Sequence, residues 1–226
     1  MVYVEDGKMN NIIFEDNHLL VVKKDINIPV QKDITEDNDL LSMLKDYIKK
    51  KYNKPGNVYL GLVHRLDRPV SGVMVFAKTS KAASRLSKQM QENKFKKIYY
   101  AVVCGNINNE GKLEDYLLKD KEKNIVKVDK RGKKATLYYK KILYKDNLSL
   151  IEIKLETGRS HQIRVQLSNF GFPLYGDQKY NKNSKVKEQI ALFAKELSFY
   201  HPVTNEYLTF NLELPKRYPF NIFKIM

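Results

Sequence analysis

The chain reads as an α+β protein, a mixed and mainly antiparallel sheet flanked by helices and loops. Three observations carry that expectation. Short runs in which apolar and polar residues alternate recur along the chain, the period of half-buried strands. Three stretches carry instead the spacing of amphipathic helices. The two kinds of element follow one another irregularly, with hairpin-like antiparallel signatures among the strands.

Taken in order, IIFEDNHLLVVKK (12–24) predicts two short strands around a polar turn. From Asp37 to Tyr52, Leu40, Leu44, Tyr47 and Ile48 recur at helical spacing, acidic residues precede them, and Pro55-Gly56 follows. YLGLVHRL and VMVFAK are strand-like. Thr79 is placed to cap a helix whose Ala83, Leu86 and Met90 share a stripe. IYYAVVCG is a buried strand by its aromatic and β-branched content. LIEIKLE (150–156) sets Ile151, Ile153 and Leu155 on one face and Glu152, Lys154 and Glu156 on the other. After Thr157-Gly158, Ile163, Leu167 and Phe170 fall at helical spacing, with Gly171 as the stop. Near the end, after a turn at VTNE, Leu208, Phe210, Leu212 and Leu214 alternate with Thr209, Asn211 and Glu213.

At 226 residues the chain has room for a sizeable core, and we expect one domain, its core spanning about 11–215. No apolar run reaches the roughly 18 residues needed to cross a bilayer. The start, MVYVEDGKMNN, is polar and mixed in charge, unlike a secretory signal. The single cysteine, Cys104, excludes an internal disulfide and a thiol cluster for zinc. The expectation is a cytoplasmic protein with no membrane association. Lys and Arg number 41 against 26 Asp and Glu, a net charge of +15 and a pI near 9.6. That excess suits a polyanionic partner such as nucleic acid, because each neutralised phosphate releases a condensed counterion; the plainer reading is a lysine-rich surface that aids solubility. Residues 119–141 concentrate the excess, with ten Lys and Arg against three acids. Gly132 in that stretch suggests a hairpin tip, either a projecting phosphate contact or a solvated loop.

The segment with the most chemistry is GLVHRLDRPVSGVMVFAK (61–78). It sets one carboxylate, Asp67, among His64, Arg65 and Arg68 where a strand gives way to a turn marked by Pro69 and Ser71-Gly72. If the strand runs through, Arg65 and Asp67 emerge on one side. His64 falls on the leucine face and reads as a hydrogen-bonded structural group in preference to a base. On the 160–170 helix, His161, Arg164 and Ser168 make a polar band, which reads equally as solvent exposure or as a cleft wall. Tyr99 and Tyr100 must face opposite ways on their strand, one toward the core. There is no GxxxxGK[ST], GxGxxG or HExxH motif, and the four histidines at 18, 64, 161 and 201 are scattered, so no metal or cofactor site is expected. What remains is a carboxylate-centred, cofactor-free reaction on nucleic acid.

Three segments, HRLDRPVSG, KKIYYAVVCG and LETGRSHQIRVQL with FPLYGDQKY, resemble in order and spacing the RluA-type pseudouridine synthases, with their HRLDRxTSG nucleophile motif, KxYxA strand and TGRxHQIR helix start followed by GDxxY. The resemblance runs from about Asn11 to Pro215. It departs at Val70, where Thr is usual; at VVKKDINIPVQKD, which lacks the NKPxG pattern; and at Phe193, where His is usual. None of these touches Asp67, Tyr99 or Arg164. The chain begins almost at the catalytic region, so no N-terminal S4 domain is expected, and RNA contact falls to this region itself.

The resemblance implies the pseudouridine synthase catalytic fold and an isomerase acting on ribosomal or transfer RNA, without cofactor, metal or obligatory protein partner. It makes Asp67 the catalytic aspartate, whose ionised carboxylate either attacks C1′ of the ribose or removes a proton from C2′. Burial would raise the pKa of such an acid, and a guanidinium that stays charged when buried counters that; the resemblance makes Arg164 that group. A stacked uridine must be flipped out to be reached, at a cost of a few kcal/mol. Arg65 is then placed to fill the vacated stack, and Tyr99 stacks on the extruded base. His64, Arg68, Lys97, Arg159 and His161 are the further RNA-binding candidates. Two other readings compete: a non-catalytic RNA-binding protein on the same scaffold, which predicts decay at Asp67, Tyr99 or Arg164, and a hydrolase, which would want a second carboxylate or a metal.

Overall fold

The computed structural model describes residues 4–5, 8–9, 11–32, 37–120 and 122–224. Two compact units make up the chain: residues 1–96 with 196–212, and residues 97–195 with 213–226.

The first unit opens with a two-stranded antiparallel ribbon, β1 (Val4–Glu5) and β2 (Lys8–Met9). The expected hairpin follows as β3 (Ile12–Glu15) and β4 (Leu19–Lys24). Asp16 sets its turn by accepting the His18 and Leu19 N–H groups, at 2.7 and 2.6 Å. Helix α1 (Leu40–Lys51) begins where Asp39 accepts the Ser42 N–H at 3.0 Å, and buries the expected Leu40, Leu44, Tyr47 and Ile48. Strand β5 is short, Gly61–Leu62, and pairs with β6 (Ser71–Ala77), which is buried throughout and pairs with β4 as well. Helix α2 (Ser80–Gln91) is capped by Thr79 as expected, but buries Ala82 with Leu86. Ala83 and Met90, the expected stripe-mates, are only partly buried on the edge of the same core. That core joins β4, β6 and α2 to Phe95, Leu197 and Phe199.

The second unit is built on long antiparallel strands. β7 (Lys96–Cys104) pairs with β11 (Leu148–Leu155), and β11 with β10 (Lys133–Lys145). β10 pairs on its other side with β8 (Glu110–Asp120), and β8 with the edge strand β9 (Ile125–Val128). The basic 119–141 stretch therefore holds an edge strand that its composition concealed. Gly132 lies in the turn from β9 to β10, where the chain crosses the end of β8; a β-carbon there would run into the Leu117 backbone. Helix α3 (Gln162–Asn169) packs Val165 on Leu117, Val126 and Ala135. It ends at Gly171 (φ +92°), with Gly171 and Phe172 donating to Ser168 and Leu167, as the sequence predicts. Phe170, expected on the buried stripe, is 40% exposed and packs on Tyr139 and Phe172.

Strand β12 (Leu192–Tyr200) carries the chain back to the first unit, where its second half pairs antiparallel with β13 (Tyr207–Asn211) across the expected turn. Within that turn His201, 4% exposed, bonds Asp16 through Nε2 at 2.9 Å, while its Nδ1 accepts the Thr204 N–H. No helix among the described residues is long and apolar enough to cross a membrane.

Candidate active site

In the first unit, strand pairing stops at Leu62, so residues 63–67 run without a strand partner. The sequence-based strand through LVHRLD is thus cut short. The reason is visible at His64, whose Nε2 accepts the Val75 N–H at 3.1 Å, a donor that a continuing strand would have met with a carbonyl. His64 is hydrogen-bonded to the backbone here, as its place on the leucine face suggested. Asp67 opens a turn closed by its own carbonyl accepting the Val70 N–H at 2.9 Å. Arg65 is exposed, Asp67 half-buried, and Arg68 reaches Asp37 in an ion pair.

Lys24, at the end of β4, holds this turn. It is fully buried, and its Nζ donates to the carbonyls of Asp25 (2.9 Å), Arg68 (2.9 Å) and Val70 (2.7 Å). Two of those carbonyls belong to the Asp67 turn itself. Burial pushes the Lys24 ammonium down to about 7, against the pull of the Asp67 and Asp25 carboxylates. Asp67 therefore has a cationic neighbour that sequence reasoning did not name. A signal was present: Leu20, Val22 and Lys24 share one face of a strand in which everything but Lys23 is buried.

In the second unit, Tyr99 is 9% exposed and lies opposite Ile153, while Tyr100 points the other way and donates to Glu152 at 3.2 Å. Helix α3 is buried all round from Gln162 to Leu167. Its polar band is neither bare to solvent nor lined by other helices; the 177–180 segment covers it. Arg164 donates through Nε and a terminal nitrogen to the two oxygens of Asp177, at 2.8 and 2.7 Å, and its guanidinium lies 5.1 Å from the Tyr180 ring centre. His161 Nδ1 meets the Tyr180 hydroxyl at 2.6 Å, and Ser168 donates to the Tyr180 carbonyl at 2.6 Å. Asp177 and Tyr180 are the acid and the tyrosine of GDQKY, which the sequence displays without saying what they touch.

The turn before α3 is equally constrained. Buried Gln162 accepts from Thr157 Oγ (2.8 Å) and Arg159 N (2.9 Å) and donates to the Thr136 carbonyl (3.0 Å). Arg159 is exposed, its Nε held on the Lys134 carbonyl at 2.9 Å. Lys97 is half-buried, and burial lowers its pKa below the usual lysine range. Each unit thus carries candidate residues: His64, Arg65, Asp67 and Arg68 in the first, Lys97, Tyr99, Arg159, His161 and Arg164 in the second.

Comparison with known proteins shows the family and the fold. A family model described as RNA pseudouridylate synthase matches residues 18–169. Over 219 residues the chain is 35% identical to ribosomal large subunit pseudouridine synthase D of Zymomonas mobilis, covering 91% of this chain and 69% of that protein. It is 34% identical to an uncharacterized RNA pseudouridine synthase, YhcT, of Bacillus subtilis, covering 95% and 71%. Among solved structures, human RNA pseudouridylate synthase domain containing 4 superposes with a TM-score of 0.76 at 21% identity, covering 91% of this chain and 89% of that one, a likeness of fold.

Proposed function

The chain belongs to the RNA pseudouridylate synthase family, of the RluA type, and is an isomerase acting on RNA; on that premise we propose that it converts chosen uridines of ribosomal RNA to pseudouridine in the cytoplasm. Relatives at 31–36% identity carry names that put them to work on the large ribosomal subunit, which supports ribosomal over transfer RNA. In the reaction the N1–C1′ bond breaks, the base turns, C5 bonds to C1′ and gives up its proton, and N1 takes one up, so the composition is unchanged.

One observation carries the assignment of chemistry: Asp67 stands on a turn that a buried ammonium fixes through its backbone carbonyls. An acid set on a rigid turn is held aimed at the sugar. In this reading Asp67 acts at the ribose, Tyr99 takes the extruded base, and Arg164 supplies the guanidinium. Arg65, exposed two residues before the acid, fills the place the base leaves. Lys97 and Arg159 contact the RNA strand, while His64, Arg68 and His161 support residues that do.

Mapping carbodiimide-reactive uridines in total RNA from cells with and without the gene tests this. The expected result is one or more ribosomal positions that lose their signal without the gene. Loss confined to transfer RNA would overturn the choice of substrate, and an unchanged map would overturn the activity.

A further inference from the structure

We propose that Lys97, Gly158 and Arg159 form a seat for a single backbone phosphate of the RNA strand. The proposal rests on the reading of this protein as an enzyme acting on RNA, and names a place where the strand is held.

Gly158 stands beside the Lys97 ammonium and directly precedes Arg159. The Lys97 Nζ lies so close that a β-carbon built on Gly158 would stand 3.4 Å from it. Any side chain there would cover the ammonium; glycine leaves the approach open, and Gly158 is exposed. Arg159 is exposed and its side chain is tethered through Nε, to the Lys134 carbonyl; no acceptor among the described residues takes up its terminal nitrogens. Among the described residues no carboxylate pairs with either cation. The loop itself is rigid, because Gln162 ties Thr157 and the Arg159 backbone to the Thr136 carbonyl. An ammonium at an open glycine and a forked guanidinium on the next residue match a tetrahedral anion with two free oxygens.

The state of Lys97 agrees. A half-buried ammonium without a counter-charge costs stability, and burial alone depresses its pKa. A fold that keeps such a group exchanges stability for a ligand that supplies the missing anion. The ligand class is a phosphodiester because the substrate is RNA and because unit charges line this part of the chain: 24 of the 41 Lys and Arg lie in the second unit, against 12 acids.

The probe is a fluorescein-labelled oligouridylate, whose binding to the full chain is followed by anisotropy over a series of salt concentrations. Lys97→Met and Arg159→Met should each weaken binding about tenfold. Because both cations serve one phosphate, the double variant should flatten the slope of log K against log salt by no more than about 0.7, the share of one single-strand phosphate. A loss near twice that would mean two independent contacts and would overturn the shared seat. Gly158→Ala, which fits without a clash, should also weaken binding by screening the ammonium. The free Lys97→Met protein should melt higher than wild type, since a buried unpaired charge has gone; a lower melting temperature, or unchanged affinity in Lys97→Met and Gly158→Ala, would end the proposal. Arg159 is exposed, so its variant folds and keeps the test open if Lys97→Met does not. Binding needs no turnover, so a protein that shows this pattern yet makes no pseudouridine would overturn the proposed function and leave the seat standing.

Discussion

Arg164 and Asp177 form a two-pronged ion pair, 2.8 and 2.7 Å between donors and acceptors, with the side chains only 8% and 0% exposed. The pair fixes the plane of the guanidinium and, through Asp177, the start of the 177–180 turn, since Asp177 Oδ1 also accepts the Lys179 N–H at 3.1 Å. Asp177→Ala would take two charge-assisted hydrogen bonds from a buried guanidinium, and we expect it to lower stability by about 3–5 kcal/mol, read as a shift in the urea midpoint. Pairing Arg164→Met with Asp177→Leu should recover most of that loss while leaving no turnover. If Asp177→Ala alone were neutral in stability, the pair would not be what holds the helix band in place.

Asp67→Asn should abolish pseudouridine formation, by about a thousandfold or more, and leave RNA affinity unchanged. The turn that presents residue 67 is closed by backbone groups, the Asp67 carbonyl to Val70 and Lys24 to the Arg68 and Val70 carbonyls, so the amide does not disturb it. A tritium-release assay and an anisotropy titration on the same preparation check both halves. Measurable turnover in the variant would take Asp67 out of the chemistry.

Much of this was legible before the structure, and the reasons differ by element. Helix α1 declared itself because the acids before it and its stripe of Leu40, Leu44, Tyr47 and Ile48 are local features. The Asp67 motif could be read because its residues are neighbours in sequence. Strand β9 was hidden because Ile125, Val126 and Val128 stand among lysines whose charge dominates any local average. Partners across the chain could not be read at all: nothing near Lys24 says that its three acceptors include residues 68 and 70, and nothing in α3 says that its polar band would be covered by Asp177 and Tyr180. Periodicity tells which way a residue points, not what it meets there.

Glu15 ties β3 to α1 and to the end of β6. Its carboxylate accepts from Tyr47 (2.9 Å), Lys51 (2.7 Å), Tyr52 (2.8 Å) and Lys78 (2.7 Å). Burial pushes the acid up, but the bonds from Lys51, Lys78, Tyr52 and Tyr47 outweigh it and hold its pKa at about 2. The folded value lies below the ordinary 4.5, so its contribution is present above pH 4.5 and fades as pH falls toward 2. Glu15→Gln should cost about 2 kcal/mol at pH 7. The gap between wild type and variant in urea midpoint should narrow between pH 4.5 and 3; a constant gap would deny the linkage.

The basic 119–141 segment divides by what its cations already touch. Lys127 and Arg131 pair with Asp129, and Lys134 with Glu114. Lys119, Lys123, Lys130 and Lys133 have no such acid partner among the described residues. Changing those four to Gln should flatten the salt dependence of RNA binding by up to about 2.8 in slope. Neutralising Lys127 and Arg131 instead should change it less, since Asp129 is left behind to repel phosphate. An unchanged slope in the fourfold variant would make the segment a solvated loop.

Lys24 gives the last test, and its sign can be worked out. Its folded pKa, about 7, lies below the ordinary 10.5, so between those values the unfolded chain holds a proton that the folded chain has released. Stability therefore rises with pH across that window and is flat, at its least favourable, below about 7. Lys24→Met removes this slope and also leaves the carbonyls of Asp25, Arg68 and Val70 without their donor, at a cost of about 2 kcal/mol. The deficit of the variant relative to wild type should thus widen from pH 7 to pH 9.5 in urea titrations. With the turn under Asp67 loosened, kcat should fall more than KM rises, because a misaimed acid harms the reaction more than binding. A variant with wild-type kcat would mean that the ammonium holds the fold and does not aim the acid.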